Sequence, residues 1–425
     1  MKRRKFIEMT AAGSAALTAS IYIPGIQQDK KLRIGLIGAG WYGMVDAKAA
    51  LKAGNVQIAA ICDVDSAHLK TSADELEKLQ GTRPQTFKYY HDLLDVKDLN
   101  AIIIGTMPHW HALQFIAACE KNLPVYCEKP LAYDVTEGIA MVNAWKKAGN
   151  IVQVGFQRRQ SSAFAKTKEL IKTGRIGRVH QVDAQINYIP ALEDTKVQNP
   201  PSTLDWDEWC GPAPMLDYRP NIGHKAWRLE KEYGNGHLVD WGIHHIDIIR
   251  KIMDANMPSE LFTRGGIFEL NNKITTPDTL TSFMNFPEFQ LIWNHKLWGT
   301  SNVSREFNNG IFFHGDKGSI FAEDSRVTIF PVAKDAQKEI INLPADKMQD
   351  NHVNDFIKAA RSKNNDFLTC TPDDAFRSTA TVQLAMISYY TGTTVRWDPD
   401  KREIIDNTEA SKLLKRNYRG SLIHP

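Results

Sequence analysis

The sequence predicts an α/β fold: a doubly wound parallel sheet first, then an α+β unit built on a large, mostly antiparallel open sheet. Three observations carry this. Short apolar runs alternate with helical stretches between residues 32 and 155. A glycine-rich turn separates the first run from the first helix. Beyond residue 178 apolar and polar residues alternate, the period of a sheet with one uncovered face.

The first run, 32–37, is followed at once by Gly38-Ala39-Gly40-Trp41-Tyr42-Gly43, a helical stretch 44–52, and a second apolar run, 56–61, ending at Cys62-Asp63. This is strand, glycine turn, helix, strand. In the G-x-G-x-x-G spacing, Gly38 permits the tight turn and Gly40 lets the backbone approach a pyrophosphate. Gly43 lets helix and strand pack closely. The free N–H groups opening the helix then face the phosphates. Asp63 stands 20 residues past Gly43 at a strand end, where a carboxylate accepts both ribose hydroxyls and repels a 2′-phosphate. These features predict a Rossmann domain over 30–157 that takes NAD. Asp65 is a second candidate for the ribose.

The alternation continues with strands 101–104, 124–127 and 151–155 and helices 109–121 and 135–148. Right-handed crossovers make such a sheet parallel, with ligands beyond the carboxyl ends of its strands. The residues there are Asp63, Thr106, His109, His111, Glu128, Lys129, Gln157 and Arg159, with Trp41 and Tyr42 opening the first helix. All but Arg159 are expected to bind the cofactor. Arg159 is expected on the substrate side.

The second unit, 158–425, begins with a helix (163–173) and a strand (179–188). Residues 189–236 show little periodicity and many Pro, Gly and Trp, which suggests a wall or lid of a cleft. Trp206, Trp209 and Trp227 could stack on sugar C–H faces or serve as core anchors for the loop. A helix over 237–253 carries Asp240-Trp241-Gly242-Ile243-His244-His245-Ile246-Asp247. On an α-helix Asp240 and His244 share a face, with Asp247 beside them and His245 turned away. Strands follow over 260–297 and 311–331, and then helices 351–361 and 373–390.

Composition narrows the function. At 425 residues the chain should hold two or three domains, and 43% hydrophobic with 24% charged residues is a globular balance. The net charge of +3 sits in residues 1–28, where Lys2, Arg3, Arg4 and Lys5 face Glu8 alone. A neutral body lacks the field that nucleic-acid binding needs. No apolar run is long enough for a membrane span. Five scattered cysteines without C-x-x-C argue against a disulfide framework, and no metal site is expected.

The order GAGWYG, TMPHWH, EKP (Glu128-Lys129-Pro130), GFQRR and DWGIHHID resembles the Gfo/Idh/MocA oxidoreductases from about residue 32 to the end. The resemblance implies a catalytic EKP lysine, Lys129, and a D-x-x-x-H pair, Asp240 and His244, with Asp240 orienting the imidazole. It implies oxidation of a secondary hydroxyl of a sugar or glycoside. Asp247, Tyr188, Arg228, Arg159 and His245 are the substrate-side candidates. It also implies late helices packed on the nucleotide domain, and a homodimer or homotetramer formed through the open sheet. Lys2-Arg3-Arg4-Lys5-Phe6 and the mildly apolar run after it resemble a twin-arginine (Tat) signal, so a periplasmic location is expected. An exported NAD enzyme meets no pool of free cofactor and should hold its own tightly. Two designs allow that. One oxidises a sugar and reduces a second carbonyl on the same NAD. The other is a redox-neutral glycoside hydrolase working by oxidation, elimination, hydration and reduction. A non-catalytic NAD-binding protein is a third reading.

Overall fold

The computed structural model describes residues 30–224, 226–299, 306–333 and 335–425. The basic segment read as an export signal, 1–28, lies outside them. The first sheet holds β1 (Leu32–Ile37), β2 (Val56–Cys62), β3 (Gln85–Phe87), β4 (Ala101–Ile104), β5 (Val125–Glu128) and β6 (Val152–Gly155). Their order is β3-β2-β1-β4-β5-β6, every pair parallel. The order reverses between β1 and β4, so a crevice opens beyond their carboxyl ends. β1, β4, β5 and β6 are buried almost throughout, because helices cover both faces. The helices Trp41–Lys52, Ser66–Gln80, Pro108–Glu120 and Val135–Ala148 make the crossovers. The last begins in a capping box, Asp134 accepting from Glu137 N while the Glu137 side chain reaches back.

The second sheet holds β7 (Val179–Ile186), β8 (Glu260–Gly266), β9 (Thr279–Asn285), β10 (Gln290–Lys296), β11 (Asn309–Gly315), β12 (Gly318–Glu323), β13 (Arg326–Pro331), β14 (Glu339–Asn342), β15 (Val395–Asp398) and β16 (Glu403–Ile405). It runs β14-β13-β12-β11-β7-β10-β9-β8-β15-β16 and is antiparallel except where β10 meets β7. Val182, Ala184, Leu261, Leu280, Leu291 and Trp293 point to the covered face. Phe262 and Phe283, directly paired, stay more than a third exposed on the other.

Two late helices join the halves. Val353, Phe356 and Ile357 of the helix Met348–Ser362 enter the core formed by Ile34, Leu36, Ile58 and Ile103. Such a fully buried phenylalanine contributes about 1.5–3 kcal/mol. The helix Pro372–Thr391 carries Phe376 and Leu384 into the core that also holds Val142 and Val154. The helix expected over 237–253 is interrupted. Leu238–Gly242 forms a π-type turn, and the α-helix proper is Ile243–Met253. No helix of the described residues is long and apolar enough to cross a membrane.

Candidate active site

A cavity of about 1180 Å³ lies beyond the carboxyl ends of the first sheet, between it and the second unit. Its floor is the glycine turn. Gly38 has φ +87°, and a Cβ there would meet Thr106 N at 2.8 Å. A Cβ on Gly43 would meet Gly38 O at 1.9 Å, so helix and strand touch through this position. Gly43 therefore packs and does not line the cavity. Around Gly40 the nearest atom to an added Cβ is His68 Nδ1 at 3.8 Å, leaving open space. The helix Trp41–Lys52 opens without a side-chain cap or an acidic residue in its first turn, so its N–H groups stay free for an anion.

Asp63 Oδ2 accepts from Ala39 N at 2.8 Å and Oδ1 from Asp65 N at 2.9 Å. Two backbone donors thus fix its carboxylate at the rim, each oxygen keeping capacity for a ribose hydroxyl. Burial pushes its pKa up, against these hydrogen bonds. Free helix N–H groups, an unfilled cradle at Gly40 and a fixed acceptor at Asp63 suit a dinucleotide.

Lys129 follows β5 into the cavity. Its Nζ donates to the Asp240 backbone oxygen at 2.7 Å and to Asp240 Oδ1 at 3.0 Å. Arg228 Nε lies 3.3 Å from Asp240 Oδ2. Burial alone would raise the Asp240 carboxyl; Lys129 and Arg228 outweigh it and hold it below the ordinary value. Among the described residues Asp240 makes no hydrogen bond to His244. The π-type turn displaces the i, i+4 register, so the expected pairing of Asp240 with the imidazole is corrected: Asp240 orients Lys129. Among the described residues His244 Nδ1 is buried with no hydrogen-bond partner. Burial, then Lys129 and Arg158, push the imidazole well below its usual pKa, so it is neutral.

Glu128, one residue before Lys129, also faces the cavity, and burial raises its carboxyl to about 7. Tyr42 Oη accepts from Gln157 Nε2 at 2.5 Å and donates to Gln349 Oε1 at 3.2 Å, a chain from the glycine turn to a late helix. Gly38, Gly40, Trp41, Tyr42, Asp63, Thr106, Glu128, Lys129, Gln157, Tyr188, Arg228, Asp240 and His244 all line the cavity.

Besides Gly43 and Asp65, five expected residues do not. His109 is fully buried against Trp209 O. His111 bridges Pro130 O and Thr106 O and supports the two loops from behind. His245 meets Arg158 Nη1 at 3.1 Å, facing away. Asp247 and Arg159 pair with each other at 2.5 Å, 1% and 2% exposed, and Arg159 reaches Asp374 at 2.6 Å. Ser378 and Arg250 complete that network. It ties the helix Ile243–Met253 to the helix Pro372–Thr391, so substrate roles for Asp247 and Arg159 do not fit this placement.

Sequence reasoning put Arg158 at a strand end, within 157–159, but gave it no role; it lines the cavity, lies over the Trp241 ring at 5.6 Å and pairs with Asp324 at 3.3 Å. The doubled arginine of GFQRR was the available signal: neighbours there point to opposite sides. It also passed over His68 and His224, which with Asp65 bring ligand atoms within 4.8 Å of one another. Trp206 and Trp209 are core anchors stacked at 4.6 Å, Trp209 also reaching the cavity wall, and Trp227 lines the cavity beneath Arg228. All five cysteines are free and buried.

A doubly wound NAD-type crevice with a lysine at its mouth defines a class, the nicotinamide-dependent oxidoreductases. Residues 32–156 match the oxidoreductase family's NAD-binding Rossmann fold, and residues 175–423 its C-terminal alpha/beta domain. The chain belongs to the Gfo/Idh/MocA family of oxidoreductases. Its Rossmann domain binds NAD. It is 26% identical to the myo-inositol 2-dehydrogenase of Thermotoga maritima over 303 residues, 70% of this chain and 77% of the relative. It is 31% identical to inositol 2-dehydrogenase 2 of Saccharopolyspora erythraea over 169 residues, 39% of this chain and 48% of the relative. The fold is shared with a levoglucosan dehydrogenase solved with NADH and levoglucosan, at a TM-score of 0.68, 18% identity and 86% and 99% coverage. An Agrobacterium radiobacter oxidoreductase solved with NAD+, L-tartaric acid and magnesium shares it at a TM-score of 0.64, 18% identity and 86% and 98% coverage.

Proposed function

We propose that this protein oxidises a secondary hydroxyl of a sugar or glycoside, using NAD that it keeps between turnovers. The observation that carries this is the fixing of Lys129 by Asp240. Two donor positions of Nζ are taken by the Asp240 backbone oxygen and Oδ1. Nζ keeps one further tetrahedral position, which suits it to exchange a proton with a substrate hydroxyl. NAD, when bound, accepts hydride from the carbinol carbon and can return it to a carbonyl. His244, neutral and beside Lys129, has the chemistry to hold the reacting oxygen or a neighbouring hydroxyl. Trp41, Trp227 and Trp241 supply flat apolar faces for sugar C–H groups. The inositol and levoglucosan enzymes among the relatives agree with a polyhydroxylated substrate.

Export by the twin-arginine route supports a captive cofactor, since the folded enzyme would carry its NAD across. Two copies would pair through the uncovered face around Phe262 and Phe283. One observation favours the redox-neutral glycoside hydrolase as a second reading. Elimination and hydration need a proton-transfer group besides Lys129, and neutral His244 lies beside it in the same cavity. Incubating the purified protein with sugars and glycosides, and identifying products by mass and NMR, tests the proposal. A keto-sugar is the predicted product. Cleaved glycoside without any ketone would establish the second reading, and no product from any sugar would refute both.

A further inference from the structure

We propose that the excursion between β7 and the π-type turn is a clasp that shuts over the adenosine half of the NAD site, and that His224, which it carries, retains the cofactor. The inference rests on NAD occupying the cleft and is independent of the sugar chemistry.

The excursion is a body with its own core. Trp206 and Trp209 stack, Tyr233 packs edge-on against Trp209 at 4.9 Å, and Leu204 and Ile222 fill the space around them. Such a unit moves as one piece. Its seam with the nucleotide domain runs along the rim that holds Asp63. Asp65 and Leu204 form an antiparallel bridge. Ser66 N donates to Thr203 O at 2.9 Å, and Asp205 N to Val64 O at 3.1 Å. Lys88 Nζ pairs with Asp205 at 2.6 Å, and Trp110 Nε1 donates to Glu208 O at 3.1 Å. These outer contacts are polar and part-exposed; deeper in the seam Trp209 O meets His109 and Trp110, and Val64 and Met107 pack against the excursion's core, so opening uncovers a small buried patch while each side keeps its own core.

His224 comes from the excursion and meets Asp65 Oδ2 through Nε2 at 2.9 Å. Its ring lies 4.1 Å from that of His68. His68 in turn stands beside Gly40, and Asp63, His68 and His224 line the same stretch of cavity. The ribose rim is therefore walled on one side by the nucleotide domain and on the other by His224. Asp65 has one oxygen committed to capping the helix Ser66–Gln80 through Ala67 N and the other to His224. That use of both oxygens fits a hydrogen-bonded latch better than a metal site. From the far side Arg419 holds the clasp through Asp207 Oδ1, Asp207 O and Ala213 O. With the seam shut, a bound adenosine would sit between two walls, and its release would require the seam to open.

The experiment is a cross-link across the seam. Ser66 and Thr203 flank the Asp65–Leu204 bridge, are exposed, and oppose each other as antiparallel neighbours, which lie about 4.5–5.5 Å apart, within disulfide reach. In the Ser66→Cys/Thr203→Cys protein, release and uptake of NADH are followed by its fluorescence, oxidised and reduced. The predicted result is that oxidation abolishes both and reduction restores the wild-type rates. Equal exchange in the two states overturns the proposal. Should that protein fail to fold or to cross-link, Asp205→Asn and His224→Ala give a second measurement. Asn keeps the cap on Glu208 N and loses the ion pair to Lys88. Each should release NADH about tenfold faster, with an unchanged melting temperature showing that the fold is intact. Release at the wild-type rate in both variants contradicts the clasp.

Discussion

Lys129 Nζ bonds both the backbone oxygen and the Oδ1 of Asp240, at 2.7 and 3.0 Å. The two residues are 111 positions apart, one at the end of a strand of the first sheet and the other on a π-type turn of the second unit. Two hydrogen bonds thereby fix the amine of a lysine that lines the cavity.

Lys129→Met removes the proposed base without touching the glycine turn or Asp63. Turnover should fall by about 10²–10⁴-fold, with NAD affinity little changed. Steady-state rates and NAD titration on the same preparation check this. A variant with near-native turnover removes Lys129 from the mechanism.

Asp63→Ala deletes the acceptor that two backbone N–H groups hold at the rim. Losing charge-assisted bonds to the ribose hydroxyls should weaken NAD binding about 10- to 100-fold. Calorimetric titration of nucleotide-free protein measures it, and an unaltered affinity would refute the ribose assignment.

Asp247→Ala leaves Arg159 in the interior with, among the described residues, Asp374 and the Thr369 carbonyl as its side-chain hydrogen-bond partners. Breaking a buried ion pair from one side typically costs about 3–5 kcal/mol, so the urea midpoint should drop markedly. If Asp247 instead touched substrate, the variant would keep its stability and lose turnover.

His424 holds the chain's last turn to Asp134 at 2.9 Å. Burial disfavours its charged form, but the Asp134 carboxylate outweighs burial and raises the pKa. A raised folded-state value means the contribution is fully present below the unfolded pKa and fades as pH rises through the folded one. The stability advantage of the wild type over His424→Ala, on the order of 1 kcal/mol or less, should therefore be larger near pH 6 than near pH 9. Denaturation curves at the two pH values giving one and the same advantage would contradict this.

How much of this was legible beforehand depends on the range over which each feature is encoded. Gly38, Gly40, Gly43 and Asp63 act within one strand-turn-helix-strand unit, and their spacing alone located them at its turn and at its second strand end. Lys129 was legible because it ends a strand in a parallel sheet. The partner of Asp240 was not, since a five-residue π-type turn looks like an α-helix in sequence and only the folded chain brings in Lys129. Asp247 and Arg159 read as polar groups near a site, yet each neutralises the other across 88 positions, which no local pattern records. Residues 189–236 gave no period to read because their order comes from Trp206, Trp209 and Tyr233 packing together. The helix Ser66–Gln80 and the short strands β3 and β14 to β16 passed unmarked, being either amphipathic with few apolar residues or only three to four residues long.

The measurement that tests the central claim most directly counts hydride equivalents. Protein purified without added nucleotide is assayed for bound NAD, then mixed with a sugar that proves to be a substrate, and the reduced-nicotinamide absorbance is followed. The account predicts a single rapid step of one equivalent per bound NAD, halted until a carbonyl acceptor is supplied, and no step with Lys129→Met although its NAD is still bound. Protein that carries no NAD and turns over continuously on free nucleotide, or a full step in the Lys129 variant, would contradict it.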